Sequence, residues 1–452
     1  MMPDAGHPAE GPVVGTERSA TVTGAEGERV AGRDAMLRER ARRVIPGGMY
    51  GHQSAVTWPA PFPQFLESGR GCRIWDVEGR EYVDFVCSFG PIVLGHAHPA
   101  VEAAVERQRR LADCQNGPSP RMVELAERLV DLVPHADWAM FAKNGTDATT
   151  LALSIARAAT GRRKVLVARG AYHGSAPWCT PRPAGTTPED RVHLVPFVYN
   201  DLASVEAAAD QAGGDLAAVL VSAFRHDARF DQEECAPAFA RGVRTLCDRR
   251  GAVLILDDVR AGFRLHLGGS WEPLGVRPDL SAYSKAIANG YPLAAVVGRD
   301  AVREAAQQVF VTGSFWFAAV PMAAALATIE ALEAERGIER MVRAGTLLRD
   351  GLARQARAHG LRITQSGPVQ LPFLTFAGDV AAGTFDRANV FTGEAARRGV
   401  WLHPWHNWFL SAAHADADVE LALERTDAAF AAVRARWGPD RAPDALDGRA
   451  AT

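Results

Sequence analysis

Between residues 138 and 298 the chain alternates seven short apolar runs with longer stretches of helical period, and few architectures accommodate that alternation. The runs are WAMFA (138–142), VLVA (165–168), VHLVPF (192–197), AAVLVSA (217–223), AVLILDD (252–258), SAYS (281–284) and LAAVVG (293–298). A strand that is apolar at nearly every position is buried on both faces. Parallel strands joined by covering helices provide that burial. The expectation is an α/β large domain over 111–329, built on a mostly parallel seven-stranded sheet. From about residue 330 the pattern changes to a long helix, the strand-like runs VQLPFLTF, VWLHPW and FLSAAH, and a final helix over 416–436. That predicts a smaller α+β domain over 330–437. Residues 34–110 hold a helix ending at Pro46-Gly47-Gly48, a hairpin around Glu78-Gly79 and a helix opened by Pro99. They are expected to pack with the smaller domain. Residues 1–33 and 438–452 lack an apolar period and are expected to be a disordered arm and tail.

Charge excludes several partners. Fifty basic residues against 53 acidic ones leave no basic footprint for nucleic acid and no polybasic membrane patch. No apolar run reaches the roughly 18 residues of a membrane helix, and no leader pattern opens the chain. The six cysteines are scattered without a CxxC, as expected of free thiols in the cytoplasm. Of the 50 basic residues only Lys143, Lys164 and Lys285 are lysines. Arginine cannot form a Schiff base and lysine can, so a lysine kept in an arginine background is a candidate for a position that arginine cannot fill.

Four short features carry chemistry. Asn144-Gly145-Thr146-Asp147 lies between a strand and a helix. A glycine turn there leaves amides free for an anion, although Thr146 or Asp147 could equally be an ordinary helix cap. Asp257 and Asp258 end the most apolar strand, where open α/β sheets bind ligands. A carboxylate there holds a protonated ring nitrogen or a metal, or caps the next helix; no tight His/carboxylate spacing favours the metal. Lys285 follows another strand, and burial there would make its amine a better nucleophile than a surface lysine. Tyr172-His173-Gly174 follows a third strand, and an aromatic at such an end stacks on a flat ring or simply packs. A phosphate cradle, a stacking ring, an Asp for a ring nitrogen and a Schiff-base lysine are together what pyridoxal 5′-phosphate (PLP) needs.

With these residues in place, the chain resembles the class III (ornithine/GABA-type) aminotransferases of PLP fold type I, in the branch of glutamate-1-semialdehyde aminomutase. The matching stretches include IPGG (45–48), YVDFVCSFGPIVLGHAHPAV (82–101), NGTDA (144–148), GAYHG (170–174), LILDDVRAGFR (254–264) and PDLSAYSKAIANGYPLAAVVG (278–298). The resemblance covers about 35–437. It implies that Lys285 forms the Schiff base and shuttles the proton, and that Asp257 keeps the ring nitrogen protonated. Val259 and Tyr172 would cover the two ring faces. Asn144, Gly145, Thr146 and His173 would complete the cofactor site. The resemblance also implies a homodimer with shared active sites, in which Ser314, or Thr312 nearby, reaches the phosphate across the interface.

The departures bear on substrate. Asp258 stands where the family has Glu, Arg260 where it has Met or Gln, and Ser222-Ala223 where it often has Glu-Pro. The aminomutase branch has an Arg after Pro-Gly-Gly; here Met49-Tyr50-Gly51-His52-Gln53-Ser54 has none, which argues against glutamate semialdehyde. Tyr50, His52, Trp316, Trp405 and Trp408 suggest an aromatic-lined substrate pocket, or are core and interface residues. Arg260 would recognise a carboxylate or phosphate on the donor, or form a structural ion pair. The expected reaction moves an amino group from a small-molecule donor to an aldehyde or ketone, with an oxo-sugar of a natural-product pathway as the proposed acceptor. The alternatives are an intramolecular aminomutase, a PLP-fold dehydratase or epimerase, and a non-catalytic PLP-fold subunit. A nucleotide-binding dehydrogenase lacks its GxGxxG after the first strand.

Overall fold

The structure, a computed structural model, describes residues 32–440. The expected arm therefore lies outside the described residues apart from Gly32 and Arg33, and Arg33 already opens α1 (Arg33–Val44). A three-strand meander follows: β1 (Leu66–Arg70), β2 (Arg73–Asp76) and β3 (Glu81–Asp84). Next come α2 (Pro99–Leu111) and α3 (Pro120–Leu132), both started by a proline whose missing N–H costs nothing in a first turn.

The large sheet is built from β4 (Trp138–Ala142), β5 (Lys164–Ala168), β6 (Leu194–Phe197), β7 (Leu216–Ser222), β8 (Val253–Asp257), β9 (Leu280–Tyr283) and β10 (Ala294–Gly298). Helices α4 (Gly145–Thr160), α5 (Leu202–Ala212) and α6 (Pro237–Arg250) lie between its strands in the chain. Its order is β4-β10-β9-β8-β7-β5-β6. All seven residues of β7 and all five of β8 are buried, as their unbroken apolar sequence requires. Only β10 runs against its neighbours, β4 and β9. Ala294 pairs with Ala142 and Ala295 with Tyr283, while Asp257 pairs with Ala282. The carboxyl ends of β4, β8 and β9 are thereby brought level along one edge, which is where the site forms. The apolar stripe Ala148, Leu151, Ala152, Ile155 of α4 is buried beneath that edge.

The chain continues through α7 (Arg303–Gln308), α8 (Ala319–Ala334), α9 (Gly337–Ala358), β11 (Ile363–Ser366), β12 (Phe373–Phe376), α10 (Ala377–Ala382), α11 (Asp386–Arg397), β13 (Val400–Trp401) and α12 (Asp416–Trp437). β13 pairs parallel with β3, so segments some 300 residues apart share a four-stranded sheet. Two expectations need correcting. FLSAAH is not a strand: Phe409, Leu410 and Ala412 donate to the carbonyls of Phe85, Gln370 and Val93 in three different segments. The expected disorder does not begin at 438, because Asp440 accepts from the Arg362 amide and pairs with Arg387 at 2.6 Å.

Arg264 is fully buried. It donates to the Gly90, Ile92 and Leu410 carbonyls and lies 5.3 Å from the Phe409 ring centroid. A cation so buried stands because carbonyl oxygens replace its water. It ties the loop before α2, whose Pro91 borders the cavity described next, to the loop after β13.

Candidate active site

A cavity of about 360 Å³ opens at the level edge of the sheet. The N-terminus of α4 forms one wall. Its cap is Asn144, which accepts from the Asp147 amide at 3.1 Å, while Asp147 accepts from the Asn144 amide at 3.1 Å. The cap is thus neither Thr146 nor Asp147 alone, and the first-turn amides of Gly145 and Thr146 stay free toward the cavity. Gly145 must be glycine, because a Cβ there would sit 2.7 Å from Val259 Cγ1. Thr146 Oγ1 accepts from the Ser175 amide (3.1 Å), which fastens the Tyr172–Ser175 loop to the cradle.

The alternation of the extended chain separates Asp257, the last residue of β8, from Asp258 just beyond it. Asp257 faces the cavity. Its Oδ2 lies 2.7 Å from His173 Nδ1, and its Oδ1 accepts from the Val259 amide at 3.1 Å. A carboxylate has about four lone-pair positions, so Asp257 can still take one donor from the cavity. Asp258 points to the other side, where its Oδ2 accepts from the Ser270 amide at 2.8 Å and its Oδ1 has no partner among the described residues. Burial carries the Asp258 carboxyl up to about 6. Because the folded state then holds the proton more tightly than the unfolded chain, the stability it contributes is complete below about pH 4 and is lost as the pH rises through 6. Asp258→Asn is expected to remove that slope, worth roughly 1–3 kcal/mol, from melting curves between pH 4 and 7. Identical slopes in variant and parent would contradict this.

Lys285 sits at the first turn after β9 with φ +47°, a strained backbone for a side-chain-bearing residue. Its Nζ donates to the Phe89 carbonyl (2.8 Å). Burial, and then the nearby Arg260, pushes its amine down to about 7. Asn289, four residues on, accepts from the Val93 and Leu94 amides and donates to the Gly95 carbonyl. It fixes the lysine turn against the loop that carries Phe89.

The cavity gathers Asn144, Gly145, Thr146, Tyr172, His173, Asp257, Val259, Arg260 and Lys285. Lys143 also borders it and donates to the Pro292 carbonyl at 3.2 Å. Other expected residues stand apart. Ser314 and Thr312 are exposed on a loop outside it. Tyr50 is 73% exposed. His52 meets Phe89 edge-on at 4.7 Å and Trp405 meets His403 edge-on at 4.4 Å, and neither His52 nor Trp405 borders the cavity. Trp316 packs on the core beside the sheet. Trp408 is not a pocket residue: it is 2% exposed and its indole donates to the His403 carbonyl. Sequence reasoning missed His226, His406, Asn407 and Asn289. Only Asn289 had a signal, in the Asn-Gly that ends the lysine turn; the others sit in loops without a motif. A wider groove of about 590 Å³, lined by Arg241, Arg244, Arg277 and Arg299, lies near the opposite ends of the strands and holds no lysine.

The family described as aminotransferase class-III matches residues 55–409, and the chain belongs to that family. It is 49% identical over 397 residues to an aminopentol aminotransferase of Sphingopyxis macrogoltabida, covering 88% of this chain and 93% of that one. It is 34% identical to a glutamate-1-semialdehyde 2,1-aminomutase of Syntrophobacter fumaroxidans, covering 89% and 98%. The PLP internal aldimine form of the Sphingopyxis sp. MTA144 FumI protein superposes with a TM-score of 0.87 at 49% identity, covering 89% and 96%. The expected class, and the fold expected with it, therefore hold. The relative at 49% identity is named a transferase rather than a mutase.

Proposed function

We propose that this chain is a PLP-dependent aminotransferase that passes an amino group from a small amino donor to an aldehyde or ketone. The carrying observation is a buried lysine amine, held near neutrality, in one cavity with a carboxylate and a free helix N-terminus. The residues fit the cofactor. The α4 amides of Gly145 and Thr146 suit its phosphate, aided by the helix dipole. Asp257 has room for one further donor, which suits the ring nitrogen. Val259 and Tyr172 suit the two ring faces, and Lys285 would hold the group covalently through Nζ. When bound, pyridoxal 5′-phosphate supplies the electron sink that lets an amino group leave one carbon skeleton and join another.

The chain's own groups do the rest. Asp257 holds the proton at the ring nitrogen, and His173, 2.7 Å away, fixes the carboxylate's orientation. With the cofactor bound, Lys285 would move the proton at the substrate carbon, a task suited to an amine whose pKa burial has lowered to about 7. The fixed Phe89 carbonyl gives that amine a resting partner.

The larger substrate is proposed to be a hydroxyl-rich amine or its oxo form. Support comes from the 49%-identical relative, whose name is that of an aminopentol enzyme; this keeps the hydroxyl-rich character of the sugar expectation without requiring a ring. A homodimer is proposed as well. Phe310 and Phe315, 89% and 67% exposed, flank Thr312 and Ser314, and a second copy would cover them while bringing Ser314 or Thr312 to the phosphate. A cytoplasmic setting is proposed from the six free cysteines; among the described residues no helix is long and apolar enough to cross a membrane.

The test is the absorbance spectrum of the protein with pyridoxal 5′-phosphate, before and after a panel of amines that includes alanine, glutamate, an amino sugar and a long-chain aminopolyol. The expected result is a visible band that at least one amine bleaches and an oxo acid restores. A protein that forms no such band removes the reading.

A further inference from the structure

The groove of about 590 Å³ at the opposite ends of the strands has no part in the proposed chemistry, and four guanidinium groups border it. Arg241, Arg244 and Asp248 share one face of α6, at spacings of three and four residues. Arg277 precedes β9. Arg299 follows β10, which ends at this edge because it runs antiparallel to its neighbours. Three elements far apart in the chain thus bring arginines to one hollow.

The carboxylates nearby are already engaged. Arg244 pairs with Asp248 at 2.6 Å and with Asp279 at 2.8 Å. Asp279 also accepts from the Leu254 amide and from Arg299 Nη1, and Asp137 Oδ2 accepts from the Asp300 amide at 2.7 Å. Arg241 and Arg277 donate no side-chain hydrogen bond among the described residues; Glu272 stands 3.9 Å from Arg277, too far for one. A guanidinium carries five N–H donors, so these two, with the uncommitted side of Arg299, leave a surplus of donors at the groove. The floor adds a built contact. His135 is 6% exposed, and its Nε2 lies 2.8 Å from Ser281 Oγ. Its Nδ1 has no partner among the described residues and is not enclosed, so it opens on the groove. Burial, then Arg277 and Arg299, push that imidazole down to about 4, with Asp137 opposing them. At that point the field of the guanidinium groups outweighs that of the carboxylates.

We infer that this groove is a second ligand site, taking a compact small-molecule polyanion, a diphosphate or a tricarboxylate, gripped by Arg241, Arg277 and Arg299 and touched by His135. A single carboxylate would engage one guanidinium fork, whereas a compact polyanion engages several at once. The site lies at the far ends of the strands from Asp257 and Lys285, so its occupant does not compete with cofactor or substrate. It stands independently of the aminotransferase reading. His135 rests on Ser281 in β9, the strand that leads to Lys285, so the occupant is held against the same sheet that carries the candidate active site.

The test is titration calorimetry of the full chain at low salt with pyrophosphate, citrate and, as a monoanion control, acetate, before and after loading with pyridoxal 5′-phosphate. At least one polyanion is expected to bind with a Kd below about 1 mM, and acetate at least about 10-fold more weakly. Pyrophosphate as the tighter ligand marks a phosphate-bearing occupant; citrate as the tighter ligand marks a polycarboxylic acid. The Kd is expected to be the same with and without pyridoxal 5′-phosphate. It is expected to rise about 10-fold when Arg241→Gln and Arg277→Gln are combined, the size of charged contacts discounted for solvent screening. Neither arginine donates a side-chain hydrogen bond among the described residues, so the melting temperature of the ligand-free double variant should match that of the parent. Half-molar salt is expected to weaken binding in the parent. If neither polyanion binds, or the double variant binds as the parent does, the inference fails. If binding disappears on loading with pyridoxal 5′-phosphate, the polyanion was occupying the α4 N-terminus, and the groove is not its site.

Discussion

Replacing Lys285 with alanine is expected to lower turnover at least about 10³-fold while leaving the fold intact. The acid–base role of a positioned side chain alone is worth roughly 10²–10⁴-fold, and the alanine also removes the covalent hold on the cofactor. No neighbour can substitute. Lys143 is turned to the Pro292 carbonyl, and arginine does not form the bond. The change is benign for folding because a buried amine with a costly charge is removed. Alanine meets the same φ of +47° that lysine already accepts, so no new strain is introduced. Turnover and melting temperature should be measured together, with the visible band as a third readout. A loss under 10-fold, or a band that persists at full strength, would exclude Lys285 from its role.

Asp257→Asn carries the second-largest expected effect, a fall of about 10²–10³-fold in kcat, the size of one preorganised electrostatic contact. Asparagine keeps the shape and can still accept from the Val259 amide, so the β8 end should hold. It cannot balance a positive charge at a ring nitrogen, and it leaves His173 without its carboxylate. Asp257→Glu keeps the charge but displaces it by one methylene. It is expected to retain more activity than asparagine if charge is what matters. If Asn outperforms Glu, position rather than charge is the contribution of Asp257. Pyridoxal 5′-phosphate affinity, followed by equilibrium titration, separates lost binding from lost chemistry.

Much of this was legible in the chain, for reasons that differ by residue. The unbroken apolar runs of β7 and β8 state their own burial, because a strand covered on both faces leaves no polar position. Lys285 stood out because lysine is scarce here, and Gly145 because a strand–glycine–helix junction is a local pattern. Other readings failed where the signal was local but the outcome was not. FLSAAH has the composition of a strand, yet its amides find carbonyls in three separate segments. Trp408 has the look of a pocket residue beside Trp405 and His406, yet it turns into the core.

The sequence alone determined the sheet, its covering helices and the four places where chemistry could be carried, because periodicity and turn residues act over a few neighbours. Only the tertiary structure decided that Asp257 and not Asp258 faces the cavity, since adjacent strand residues point oppositely and the helices packed on each face choose the side. It alone brought His406 and Asn407 to Arg260 across 146 and 147 residues of chain. The antiparallel β10 levels the ends of β4 and β9 with that of β8, so that Gly145, Asp257 and Lys285 meet. Contacts of that kind are fixed by register and by loop closure over long separations, which leave no periodic trace in the order of the residues.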